Sequence, residues 1–360
     1  MNLNLFFLVV RFLVFLFIFS LSCELFFRVF AGEKINSPVK TLVYQKGNNF
    51  VNEEDFFRYS KSSKIRHATI YTYSDGRNII EYDYVFSTNN AGLVQKNDLL
   101  GGDRVVLIIG DSFTEGQGSA PWFYKLESEL TDNNVKVVNL GILGTGPMQW
   151  LNLAKSVISE YSLNVLGVVI NIIPHDISRP LWKFDAQQLD CLSRSWCVYT
   201  YGFRGFDFES GFDVGMTRER LIDFTDNVEP TSRFGVSDFR NLLYQSALIR
   251  FLFKLYLRND DNFEGNLVAL NELSTLGQFH HINFVEQKDI RRSNVSDFLT
   301  GRILNEFLKN SQLKWSWCEI DSRLFRVLDQ HPNEAGYGVL RKCTHKSVVG
   351  VVSLVDSVSD

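Results

Sequence analysis

Residues 105–112 read Val-Val-Leu-Ile-Ile-Gly-Asp-Ser, and this octapeptide restricts the fold more than any other stretch of the chain. Five consecutive apolar residues, mostly β-branched, have the length and character of a strand buried on both faces. Such strands belong to parallel sheets covered by helices on either side. Gly110 ends the run, so Asp111 and Ser112 stand at the carboxyl end of a strand, where α/β sheets place their ligands. Two further runs repeat the pattern. Val135 to Leu140 leads into a loop holding Gly141, Gly144 and Gly146, and Leu166 to Ile173 leads into Pro174-His175-Asp176. Trp122 to Leu130 and Met148 to Tyr161 read as the helices between them. The expected fold is a three-layer α/β/α sandwich with a mostly parallel sheet.

Taken alone, Gly-Asp-Ser is a tight turn in which Asp111 or Ser112 caps the next helix. The far end of the chain changes that reading, because it carries Asp329-Gln330-His331-Pro332-Asn333. Serine is a poor nucleophile near neutral pH; it needs a base within reach, and the base needs an acid to orient it. Asp329 and His331, two residues apart, fall on one side of an extended or looped segment. The pattern makes Ser112 the candidate nucleophile, His331 the base and Asp329 the orienting acid. The glycine-rich loop has backbone N–H groups free to face a ligand, which suits an oxyanion hole. A phosphate cradle fits less well, since no Gly-Lys-Ser/Thr follows and Pro147 removes a donor.

These blocks, in this order, resemble those of the SGNH/GDSL hydrolase superfamily, whose sandwich is flavodoxin-like. Its first block is Gly-Asp-Ser, matched by Gly110, Asp111 and Ser112. The resemblance implies that Ser112 is the nucleophile and that its backbone N–H is one oxyanion donor. The second block places another donor on Gly144, and the last places the acid and base on Asp329 and His331. The third block normally reads Gly-x-Asn-Asp, whose Asn is the third donor; here His175 stands in its place. Either His175 substitutes, or Asn171 turns into the site, or the hole keeps two strong donors. The family implies an ester hydrolase that works through an acyl-enzyme, with no cofactor and no metal. The substrate would carry an ester-linked acyl or acetyl group on a small molecule, glycan or lipid. Two alternatives stay open: an O-acetyltransferase on envelope glycan that uses the same three residues, and a non-catalytic, membrane-tethered binding or assembly module.

The N-terminus bears on location. Leu3 to Phe30 is almost wholly apolar, broken only by Asn4, Arg11, Ser20, Ser22, Cys23, Glu24 and Arg28. About 20 such residues suffice for a helix to span a bilayer. Two readings compete: a cleaved signal peptide ending at Val29-Phe30-Ala31, and an uncleaved anchor over 1–23. Glu24 and Arg28, four apart, extend one helical face past the apolar run and favour the anchor. Either way the rest of the chain is expected outside the cytoplasm, on the periplasmic or cell-surface side.

Cysteine usage agrees. Beyond the leader lie Cys191, Cys197, Cys318 and Cys343, an even number that permits three pairings. A Cys191–Cys197 bond would close a small loop, and a Cys318–Cys343 bond would brace the block holding Asp329 and His331. No Cys-x-x-Cys occurs, which argues against zinc. The net charge of -4 and the lack of a Lys/Arg run give no electrostatic case for nucleic acid.

The chain is thus expected to divide into three parts: the leader over 1–23, a juxtamembrane stalk and extension over 24–102, and the hydrolase-like unit over 103–360 with an insertion at about 181–235. In the extension, Ala68 to Tyr73 and Ile79 to Phe86 alternate around Ser74-Asp75-Gly76-Arg77, a hairpin signal. Further helices are expected over Asn241–Arg258 and Phe298–Leu308, a last strand over Trp315–Ile320 and a closing helix from Glu334. The insertion carries Trp182, Phe184, Trp196, Tyr199 and Tyr201, which suit either stacking on sugar rings or packing.

Overall fold

The computed structural model describes residues 3–30, 39–45, 47–72, 77–119, 121–130, 136–184, 186, 189–190, 197–201, 206–212, 261–287 and 313–359. The apolar N-terminus forms helix α1 (Leu3–Phe30). Five strands follow in the extension: β1 (Val39–Gln45), β2 (Phe50–Asn52), β3 (Phe57–Tyr59), β4 (Lys64–Thr72) and β5 (Asn78–Ser87). The unit expected over 103–360 then runs β6 (Arg104–Gly110), α2 (Ser112–Glu115), α3 (Phe123–Glu129), β7 (Lys136–Gly141), α4 (Pro147–Tyr161) and β8 (Asn164–Ile172). After it come β9 (Cys197–Tyr201), β10 (Phe206–Phe212), α5 (Asp261–Leu273), β11 (Phe279–Gln287), β12 (Leu313–Ile320) and α6 (Glu334–Ser359).

The strand that led the sequence reading lies inside the main sheet, whose order is β12-β11-β8-β6-β7. All four of its pairings are parallel. Because successive side chains of a strand point to opposite faces, β6 feeds two cores. Val105, Leu107 and Ile109 join the cluster under α4 and α5, whereas Val106 and Ile108 join the one under α3 and α6. Helices α4 and α5 pack on each other, and α6 lies across β8, β11 and β12. The expected three-layer α/β/α sandwich is present.

The hairpin expected around residues 74–77 is also present, as the antiparallel pair β4–β5. It belongs to a second sheet of order β5-β4-β1-β10-β9. There β1 of the extension runs parallel to β10 of the insertion, with Lys40 opposite Phe206 and Leu42 opposite Phe208. Two segments separated by the whole first half of the sandwich therefore share one sheet. That sheet and the separate antiparallel pair β2–β3 pack on the sandwich: Leu42, Tyr44 and Phe86 of the sheet and Phe50, Phe57 and Tyr59 of the pair sit in the same cluster as Leu107, Val138, Trp150 and Ile170.

Cys318 at the end of β12 is bonded to Cys343 in α6, which is one of the expected pairings. The Cys191–Cys197 pairing, Trp196, the turn at 74–76 and the helices expected over 241–258 and 298–308 lie outside the described residues. In α1, side chains are described at Phe7 and over 10–26, and Phe12 to Phe19 are exposed. Among the described residues no helix is long and apolar enough to cross a membrane. The spanning segment expected over 1–23 is accordingly not supported by the structure.

Candidate active site

Strand β6 ends at Gly110 because the backbone must turn against two neighbours. A Cβ there would meet the Thr114 hydroxyl at 2.1 Å and the Asn171 carbonyl at 2.7 Å. The turn opens the short helix α2, capped by Asp111, whose Oδ1 accepts the Phe113 N–H at 2.9 Å. Ser112 is thereby held at the first helical position, largely buried. Its Oγ lies 2.8 Å from Nε2 of His331.

His331 comes from the loop between β12 and α6. Gln330 adopts a left-handed conformation with φ 58°, unusual for a residue with a side chain. That kink turns Asp329 and His331 to the same side. The loop is fixed at both ends: the Arg326 N–H donates to the His331 carbonyl at 2.8 Å, and the Asn333 N–H donates to the Leu324 carbonyl at 2.7 Å. Nδ1 of His331 is in direct contact with Oδ2 of Asp329, and neither atom has another partner. The Phe113 ring packs against the imidazole, 5.3 Å between centroids.

Asp329 has a second set of partners that the sequence did not point to. Its Oδ1 accepts from Nζ of Lys40 in β1 and, at 3.0 Å, from the hydroxyl of Tyr71 in β4. Burial by itself would raise this carboxyl, yet His331 and Lys40 together hold it well below the usual carboxylate range. Nearby His67 is buried, which pushes it down to about 3 and leaves it neutral.

The loops after β7 and β8 meet the turn that holds Ser112. Glu115 in α2 accepts the Leu143 N–H at 2.6 Å and the Tyr59 hydroxyl at 3.0 Å, which fixes the glycine-rich loop beside Ser112. Gly144, the next residue, is left-handed at φ 67°, and a Cβ there would crowd Trp182 at 3.3 Å. Its carbonyl accepts the Trp182 indole N–H at 2.9 Å. Among the described residues, the N–H groups of Ser112 and Gly144 make no hydrogen bond. The turn after β8 brings Arg179 onto Asp111 at 2.9 Å and Asp176 at 3.1 Å. Burial raises the Asp176 carboxyl, with Asp111 adding to the effect.

Of the candidate oxyanion residues beyond Ser112 and Gly144, His175 is exposed, and its imidazole makes no hydrogen bond among the described residues. Partial desolvation by its surroundings and the neighbouring Arg179 lower its pKa. Asn171, the other option, is engaged within the core. Its Oδ1 accepts from Asn283 at 2.9 Å and from Thr344 at 3.2 Å, and its Nδ2 points at Thr114. Trp182 and Phe184 are buried against Phe57, so these two aromatics pack. Tyr199 and Tyr201 lie on β9.

Arg179, Lys40, Tyr71 and Glu115 are the site residues that sequence reasoning missed. Glu115 had a signal, three residues after the serine at the end of a one-turn helix. The others became neighbours only through tertiary packing.

No protein-family model matches the chain, and no curated protein matches it. Solved structures align with the chain at low identity. An acetylxylan esterase from Geobacillus stearothermophilus, in a catalytic mutant form, aligns at 11% identity and a TM-score of 0.36, covering 69% of this chain and 95% of the other. A carbohydrate esterase whose active site is described as having divergent catalytic and non-catalytic binding functions aligns at 10% identity and a TM-score of 0.36, covering 88% of this chain and 99% of the other. Likenesses at this level carry neither activity nor substrate to the present protein.

Proposed function

We propose that this protein is a serine esterase of the SGNH type, acting on ester-linked acyl or acetyl groups. The observation that carries the reading is the line of contacts from Ser112 Oγ through His331 to Asp329. Ser112 attacks the ester carbonyl while Nε2 of His331 takes its proton; Asp329 holds the imidazole in register and stabilises the imidazolium. The N–H groups of Ser112 and Gly144 face the developing oxyanion, with His175 as a third donor. The alcohol leaves with the proton returned by His331. Water then attacks the acyl-enzyme, the same imidazole acting as base and then as acid, and the serine is released.

The substrate class, cell-envelope carbohydrate or lipid, follows from the resemblance and from an extracytoplasmic location. That location is supported by the Cys318–Cys343 bond, which suits an oxidising compartment. A fluorophosphonate probe tests the reading. The expected result is a stoichiometric adduct mapped to Ser112, absent from Ser112→Ala and lost or strongly slowed in His331→Ala. No adduct on folded protein would favour the non-catalytic binding module.

A further inference from the structure

The hydroxyl-imidazole-carboxylate line does not end at Asp329. Both oxygens of that carboxylate are used, and the second is held by the sheet of the N-terminal extension. Lys40 and Tyr71 sit opposite each other on paired strands, β1 and β4, so the antiparallel register puts them side by side on one face. Both reach Oδ1 of Asp329. The carboxylate is fully buried, whereas the Lys40 side chain keeps 20% of its surface exposed. A buried carboxylate with an ammonium on one oxygen and an imidazole on the other is strongly held in place.

We propose that Lys40 and Tyr71 are positioning residues for the catalysis assigned above, and that the extension sets the working pH of the site through them. The inference rests on the serine-esterase reading. Lys40 acts in two ways. It locks the carboxylate so that Oδ2 faces the imidazole. It also neutralises part of the negative charge that would otherwise stabilise the imidazolium, so that His331 serves as a base at lower pH than it would beside an uncontested Asp329.

The remaining groups around this pair do not duplicate the charge. On β4, His67 is buried and neutral. On β5, the Tyr82 hydroxyl is kept protonated by burial, and Glu81 accepts the Leu328 N–H. In the loop before Asp329, Arg326 donates to the carbonyls of Glu81 and Gly118 and stacks over Tyr82. From α6, the Tyr337 hydroxyl donates to the Gln117 carbonyl. Among the described residues Lys40 is the only Lys or Arg paired with Asp329.

The test is the rate of probe labelling at Ser112 from pH 5 to 9 in the full chain. In Lys40→Met the acid limb of the profile is expected to move to higher pH by about one unit, the scale on which a neighbouring charge shifts a titration. Labelling at pH 6 would then fall about tenfold relative to wild type. Lys40→Arg should restore the limb, and Tyr71→Phe, which removes a neutral donor, should slow labelling with little movement of the limb. If Lys40→Met does not fold, Lys40→Gln keeps a donor without the charge and is read in the same way. An unmoved limb in a folded neutral variant overturns the inference, as does a limb that Lys40→Arg fails to restore. Failure of wild type to label at any pH overturns the esterase reading instead.

Discussion

Glu115 shows how much a single buried side chain ties together. Its carboxyl links α2, the helix that opens at Ser112, to Leu143 of the glycine-rich loop and to Tyr59 of the extension. Burial pushes it up to about 8 from an ordinary 4.5. Between those values the folded protein keeps a proton that the unfolded chain has released. Its contribution to stability is therefore complete below pH 4.5 and declines as pH rises to 8. In Glu115→Gln that slope should disappear, since an amide does not titrate. Thermal melts of the two proteins across pH 5 to 9 check this. The variant should gain on wild type as pH rises, and parallel curves would count against a buried, protonated Glu115. The same carboxyl explains why the sequence reading of the oxyanion loop was only partial. Gly144 is legible from its spacing, but what holds it in place is an acid belonging to a different loop.

At the scale of elements, the main sheet was legible because its strands are apolar runs of the right length ending in glycine, and such runs are buried wherever they occur. The closing block was legible for a different reason, the two-residue spacing of Asp329 and His331. What puts their side chains together is the left-handed Gln330, which nothing about glutamine announces. That loop hangs between β12 and α6, and the Cys318–Cys343 bond joins those two elements across 25 residues. Closing a loop of this size removes chain entropy worth about 3.5 kcal/mol. Replacing both cysteines by alanine should lower stability by about 2–4 kcal/mol, measurable by denaturant unfolding. Probe labelling of the folded fraction should persist, because the triad contacts do not run through the sulfurs. Loss of labelling in a folded double variant would mean that the bond also sets the loop geometry.

For the whole molecule, the extension and the sandwich share one core. Tyr44, Phe50 and Phe57 pack in the cluster that holds Trp150, Trp182 and Phe184. Residues 103–360 made alone should therefore expose a large apolar surface, bind a hydrophobic dye and fail to label at Ser112. A soluble, labelling fragment would show that the second sheet is dispensable. From sequence alone, the parallel sheet, the serine at its carboxyl edge, the Asp329–His331 pair and the β4–β5 hairpin could be derived. Each depends on local rules: strand period, chain reversal at glycine, and the chemistry a nucleophile needs from its neighbours. The pairing of β1 with β10, the reach of Lys40 and Tyr71 to Asp329, the seat of Arg179 between Asp111 and Asp176, and the retention of Asn171 in the core were decided by tertiary structure. Those contacts join residues far apart in the chain, and their energy comes from burial and charge pairing that exist only once the two sheets have met.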